Sequence, residues 1–142
     1  MMKRILAFDV GDRRIGVAVS DALGITAQPV ETYHRKGGAE KDAEYLLALA
    51  KRYAPCTLLF GLPRNMDGTY GEQAEKVKKF AQRLIDRWDG DYAFYDERLT
   101  TMAAQRVLID ADISLEKRKQ VIDKMAAVVI LQGYMESHRD KL

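Results

Sequence analysis

KRILAFDVGDRRIGVAVSD, residues 3–21, holds two strands and one residue at odds with them. Ile5, Leu6, Ala7, Phe8 and Val10 form the near-continuous apolar run of a strand buried on both faces of a sheet, and Asp9 interrupts it. Residues 14–20 read as a second strand, and Gly11-Asp12 between the two suits a tight hairpin. Two readings fit Asp9. It accepts hydrogen bonds from the amides of the turn, or it binds a cation, because a buried carboxylate is costly unless a cation or donors meet it.

Working outward, a third strand is expected near residues 27–33, at a sheet edge because Pro29 cannot donate to a ladder. Gly37-Gly38 opens a helix over 39–53, with Tyr45, Leu46, Leu49 and Ala50 on one face and Pro55 beyond its end. Thr57 to Phe60 reads as a short buried strand, 61–69 as a loop containing an Asp67-Gly68 turn, and 72–88 as a helix with the stripe Ala74, Val77, Ala81, Leu84, Ile85 and Trp88. A fifth strand is expected over 91–96. Thr100 or Thr101 caps a helix toward Ile109, and a last helix covers 115–137. A strand hairpin followed by alternating helices and strands implies an α/β class domain, a mixed five-stranded sheet flanked by helices, over residues 1–142 as one unit. In such sheets sites gather at the ends of central strands.

The chain has 142 residues, enough to bury roughly 70% of its unfolded surface without disulfides or structural metals. It is 47% hydrophobic and 31% charged with a net charge of +2, a composition that excludes disordered and fibrous classes and permits a nucleic-acid partner without demanding one. The single Cys56 is expected to be a small buried hydrophobe in a reducing, cytoplasmic setting. Lys3-Arg4 imitates a signal-peptide start, but Asp9 and Asp12-Arg13-Arg14 arrive before an apolar region is complete. No apolar run is long enough for a membrane span.

Two more carboxylates stand in telling places. Glu97 follows the strand around Tyr92–Tyr95, and alternation puts it on the opposite side from Asp96. A solvent ion pair with Arg98 would also account for it. Asp123 lies on the apolar stripe of the last helix with Ala127, Ile130, Leu131 and Tyr134; the helix dipole explains an acid in the first turns but not one that faces the core. Asp9, Glu97 and Asp123 would come from two strand ends, the second expected to be central, and from a helix packed across the sheet. Meeting at one rim, they would repel unless a cation neutralised them. Such hard oxygen ligands select Mg²⁺ or Mn²⁺ over zinc.

Together "FDVGDRRIGVAVSD", "FGLPRNMDGT", "YDERLTT" and "IDKMAAVVILQGYM" resemble the YqgF (RuvX) family, bacterial proteins with an RNase H-like fold similar to the RuvC Holliday-junction resolvases. The resemblance spans nearly the whole chain. It implies a metal-dependent nuclease acting on phosphodiesters, with Asp9, Glu97 and Asp123 at the three acidic positions. Its implied substrates are precursor 16S rRNA, matured at the 5′ end within a ribosomal particle, or branched DNA, which a resolvase would cut as a two-fold dimer. Phosphate contacts are expected from Arg13, Arg14, Arg64, Arg98, Lys117, Arg118, Lys119 and Lys124, with Asn65 and Thr100 positioning substrate or water. Two rivals share some of these residues: an actin-like ATPase, which begins with a similar hairpin, and a nucleic-acid-binding module without catalysis.

Overall fold

The computed structural model describes residues 3–65, 67–97 and 115–138, with side chains at all of these positions except 97 and 115–124. The expected helix near residues 100–109 lies outside them. The described residues form strands β1 (Arg4–Val10), β2 (Arg14–Ser20), β3 (Ala27–His34), β4 (Cys56–Pro63) and β5 (Tyr92–Glu97), and helices α1 (Ala39–Arg52), α2 (Glu72–Ile85) and α3 (Leu115–Ser137).

The sheet runs β3-β2-β1-β4-β5. β1 pairs antiparallel with β2 and parallel with β4, and β4 pairs parallel with β5, so the sheet is mixed, as expected. β3 lies at one edge, where Pro29 pairs with Ala18 beside a register shift between Val17 and Ala18 that passes over Val30. The three parallel strands bring their C-terminal residues Val10, Pro63 and Glu97 to one rim.

Alternation along β1 divides the core in two. Leu6, Phe8 and Val10 point to the side covered by α1 and α2, where Leu46, Leu58, Phe60, Val77 and Leu84 complete one cluster. Ile5 and Ala7 point the other way, to Ala18, Leu59 and the α3 residues Ala127, Ile130 and Leu131. Each fully buried Leu, Ile or Phe contributes about 1.5–3 kcal/mol relative to exposure, so both faces hold the sheet. That is why β1 reads as a nearly continuous apolar run.

Three boundaries differ from expectation. β4 begins at Cys56 and continues through Gly61, Leu62 and Pro63, which pair with Tyr95, Asp96 and Glu97; the segment expected as loop starts only at Arg64. α2 ends at Ile85, because the Leu84 and Ile85 carbonyls accept from the Arg87 and Trp88 amides in tighter turns, and Phe80 rather than Trp88 supplies its large buried ring. Finally, β5 is an edge strand rather than a central one, so Glu97 closes the outermost parallel strand.

Candidate active site

The β1–β2 turn sets the position of the first acid. The Gly11 N–H donates to the Arg14 carbonyl at 2.9 Å. A Cβ at Gly11 would meet that oxygen at 2.8 Å, so the turn requires glycine. The Gly11 amide that one reading assigned to Asp9 is therefore taken by Arg14. Asp9 itself is half-buried, on the α3 side of the sheet with Ile5 and Ala7. It pairs with Gly16, and Gly61 follows the Phe8–Phe60 pair on the other flank, so neither flanking position carries a side chain. Thr32 and Tyr95 extend this row across the sheet. Asp9, Arg14 and Thr32 each have an interaction partner within the fold.

Position 97 ends β5 opposite Pro63 and has the strand parity of Ala93 and Tyr95, which belong to the α3 side. Asp123 falls in α3 four residues before Ala127, on the stripe continued by Ile130 and Leu131. Gln132, Met135 and Glu136 border a cavity together with Ile25 of the β2–β3 turn, which places the C-terminal half of α3 at the far end of the sheet from Asp9. The N-terminal half, carrying position 123, is thereby directed toward the rim of Asp9. The carboxylates of Glu97 and Asp123 lie outside the described residues. Among the described residues no group of three His, Cys, Asp or Glu side chains could hold a metal.

Asp96 faces away, as alternation predicts. Tyr70 Oη donates to its Oδ1 at 2.7 Å, and Arg64 Nη1 lies 3.5 Å from its Oδ2. The hydrogen bond to Asp96 pushes the Tyr70 phenol above its ordinary pKa. Arg64 also donates through Nε and Nη2 to the Gly68 carbonyl at 3.0 and 2.7 Å and stacks over the Tyr70 ring. Its guanidinium braces the loop from within. The Asp67-Gly68 turn is present, with Gly68 at φ 90° and its N–H donating to the Asn65 carbonyl at 2.9 Å. Thr69 donates to Asp67 through both N–H and hydroxyl, and the Asn65 amide donates to the Thr69 hydroxyl at 3.0 Å.

Of the other residues expected at phosphate, Arg14 occupies the α3 face at the rim and Arg13 is exposed at the tip of the turn. Arg98 and Thr100, and the side chains of Lys117, Arg118, Lys119 and Lys124, lie outside the described residues.

A further polar cluster escaped the sequence reading. Asp42 in α1 is 1% exposed and accepts from Tyr33 Oη and Arg35 Nε, both at 2.8 Å. Arg35 Nη1 donates to the Gly11 carbonyl at 2.8 Å, and its guanidinium lies over Phe80. Burial and the Asp42 carboxylate push the Tyr33 phenol up to about 12. The signal was available: Asp42 precedes Leu46 by one turn, as Asp123 precedes Ala127.

Comparison with known proteins places these features in context. A family model described as "RuvX: Holliday junction resolvase" matches residues 3–137. A Clostridium novyi protein named "Putative pre-16S rRNA nuclease" is 51% identical over 134 residues, covering 94% of this chain and 98% of the relative. Relatives of the same name from Clostridioides difficile and Halalkalibacterium halodurans are 52% and 50% identical, covering 94% and 97% of this chain and 94% and 99% of their own. Among solved structures, T. thermophilus RuvC in complex with Holliday junction substrate superposes with a TM-score of 0.57 at 12% identity, covering 95% of this chain and 97% of that one. The fold is accordingly the RuvC-like RNase H fold.

Proposed function

The chain belongs to the RuvX family, and on that premise we propose that it is a metal-dependent endonuclease that hydrolyses phosphodiesters during 5′ maturation of precursor 16S rRNA. The observation that carries this reading is Asp9: a half-buried carboxylate at the C-terminal end of a central strand, flanked by two glycines, beside the ends of β4 and β5.

Under this reading Asp9, Glu97 and Asp123 hold Mg²⁺ or Mn²⁺, a set of oxygen donors without cysteine or histidine that suits either ion. When bound, the ion stabilises charge on the phosphoryl oxygens and acidifies water. The rest is the work of the chain. β1 and β2 hold Asp9 rigidly, since both strands are buried on two sides. The missing side chains at Gly16 and Gly61 leave backbone alone beside it, where a phosphodiester can approach. Arg13 and Arg14 supply positive charge at the rim, and Arg98, Lys117, Arg118 and Lys124 are assigned to phosphate under the same proposal. Asn65, held by Thr69, and its braced loop border β4 where the strand leaves the sheet. Cytoplasmic action belongs to the same proposal; among the described residues no helix is long and apolar enough to cross a membrane.

The test is cleavage of a labelled 16S rRNA 5′ leader and a four-way DNA junction, with Mg²⁺ or Mn²⁺, by wild type and Asp9→Asn. Leader cleavage lost in the variant and in EDTA is the expected result. Paired cuts in the junction alone would assign the protein to branched DNA, and binding without cutting of either substrate would reduce it to a non-catalytic module.

A further inference from the structure

On the opposite side of the sheet from Asp9, where β1 runs into its turn, a cavity of about 480 Å³ opens between α1 and α2. Five cationic side chains line it against two acidic ones. The acids are largely spent: Asp42 is buried against Arg35 and Tyr33, and Asp12 lies 3.5 Å from Lys76. Arg83 pairs with Glu40. Lys36 and Lys79 have no ion pair among the described residues, and nothing inside the cavity accounts for them.

The backbone adds to this. α1 begins at Ala39 with no side chain capping it, and Gly38 and Ala39 form part of the cavity wall. Gly38 has φ 91°, and a Cβ built there would meet nothing within 4 Å, so the space beside it is open. Uncapped amides, the positive end of the helix dipole and two unpaired lysines all favour an anion.

The turn itself says which anion. Val10, Gly11 and Asp12 form one wall, immediately after Asp9 in the chain. Arg14 lies on the Asp9 side, Arg13 projects at the tip, and Lys36 and Lys79 lie on the far side. Cationic side chains thus stand on both faces of the sheet around a single hairpin, an arrangement that suits a chain of phosphates better than one small ligand. We propose that this cavity binds the phosphate backbone of the substrate strand a few nucleotides from the cleaved bond, the strand being wrapped around the β1–β2 turn. The proposal rests on the nuclease reading for the identity of the strand.

The test is fluorescence anisotropy with labelled single-stranded leader RNA across a series of salt concentrations, in the Asp9→Asn background so that nothing is cut. Lys36→Ala/Lys79→Ala is expected to weaken binding at low salt by about tenfold or more and to make the slope of log K against log salt shallower by about 1.4, as for two phosphate contacts on a single strand. Lys36→Arg/Lys79→Arg should restore both, and an unchanged melting temperature shows that the alanine variant is folded. Unchanged affinity and slope would overturn the proposal. So would ADP binding by the Asp9→Asn protein that Lys36→Ala/Lys79→Ala abolishes while leaving RNA binding intact, which would make the cavity a site for free phosphoesters. Because binding is read without cleavage, a protein that cuts neither substrate loses the nuclease reading while the salt slope still decides this site.

Discussion

Tyr95 of β5 packs its phenol ring directly against Gly133 of α3, so that a Cβ added to the glycine would lie 2.8 Å from Tyr95 Cζ. This contact sets how closely α3 approaches the edge of the sheet. Tyr95 stands in the same cross-sheet row as Asp9, two residues before Glu97, and α3 carries Asp123. Gly133→Ala is expected to lower stability by about 1–3 kcal/mol through overpacking, offset by about 1 kcal/mol from better helix propensity. Thermal denaturation checks the net loss. Tyr95→Leu in the same chain should recover most of it, because the clash is with the ring.

Asp42 ties α1 to the β1–β2 turn through Arg35, whose guanidinium spans from the carboxylate to the Gly11 carbonyl. Asp42→Ala would leave a mostly buried guanidinium without its partner, at a cost of about 3–5 kcal/mol. Tyr33→Phe removes one hydrogen bond to the same carboxylate and should cost about 1–2 kcal/mol. Urea denaturation of both variants distinguishes the two magnitudes.

Alkaline pH should weaken the fold through two groups whose protons the native state holds more tightly. The Tyr33 phenol is raised from 10.0 to about 12, and burial raises the Cys56 thiol from 9.0 to about 11. Below pH 9 both states keep these protons and the contribution is complete. As pH rises from 9 through 12 the unfolded chain releases them first, so stability declines across that window. Melting temperatures measured from pH 8 to pH 12 should fall, and Tyr33→Phe should flatten the upper part of the curve. Cys56 should react with iodoacetamide at pH 8 only as fast as the chain unfolds.

Asp96 accepts from Tyr70 and pairs with Arg64, coupling β5 to the loop after β4. Asp96→Asn should lower the pKa of Tyr70 toward that of free tyrosine, since the carboxylate is the largest cause of its elevation. Ultraviolet titration of the phenol, compared with a Tyr70→Phe control, reads this. Amide exchange at Gly68 and Thr69 should accelerate in Arg64→Ala, which removes both hydrogen bonds to the Gly68 carbonyl.

Much of the architecture was legible because the strands are buried on both sides. The apolar run of β1, the Gly11 turn and the edge position signalled by Pro29 all report local chemistry, and each corresponds to the observed fold. The end of β4 was not legible, since Gly61-Leu62-Pro63 carries the residues of a turn and is held in the sheet only by pairing with β5. The same long-range pairing makes β5 an edge, which no pattern within Tyr92–Glu97 could reveal. At the candidate site, Asp9 was conspicuous as a carboxylate in an apolar strand. Arg64 read as a phosphate contact, and its hydrogen bonds to Gly68 and ion pair with Asp96 were not legible because sequence does not show that those residues fold back to meet it. Asp42 obeys the logic that selected Asp123, an acid on an apolar helical stripe, yet its partners are an arginine and a tyrosine from a distant strand. An acid on such a stripe announces that something must compensate it, without saying what.

Strand parity in β1 has one more consequence, for how this protein can change over time. The even positions Leu6, Phe8 and Val10 fill one core and the odd positions Ile5 and Ala7 fill the other, with Asp9 continuing the odd series. Inserting or deleting one residue between Arg4 and Asp9 would exchange the two series and send large side chains into the space shaped for small ones. The acid therefore cannot migrate along its strand by small steps, because every intermediate forfeits both cores first. Its address is inherited with the hydrophobic core, and divergence is channelled into the identities of its neighbours and into the turn beyond it.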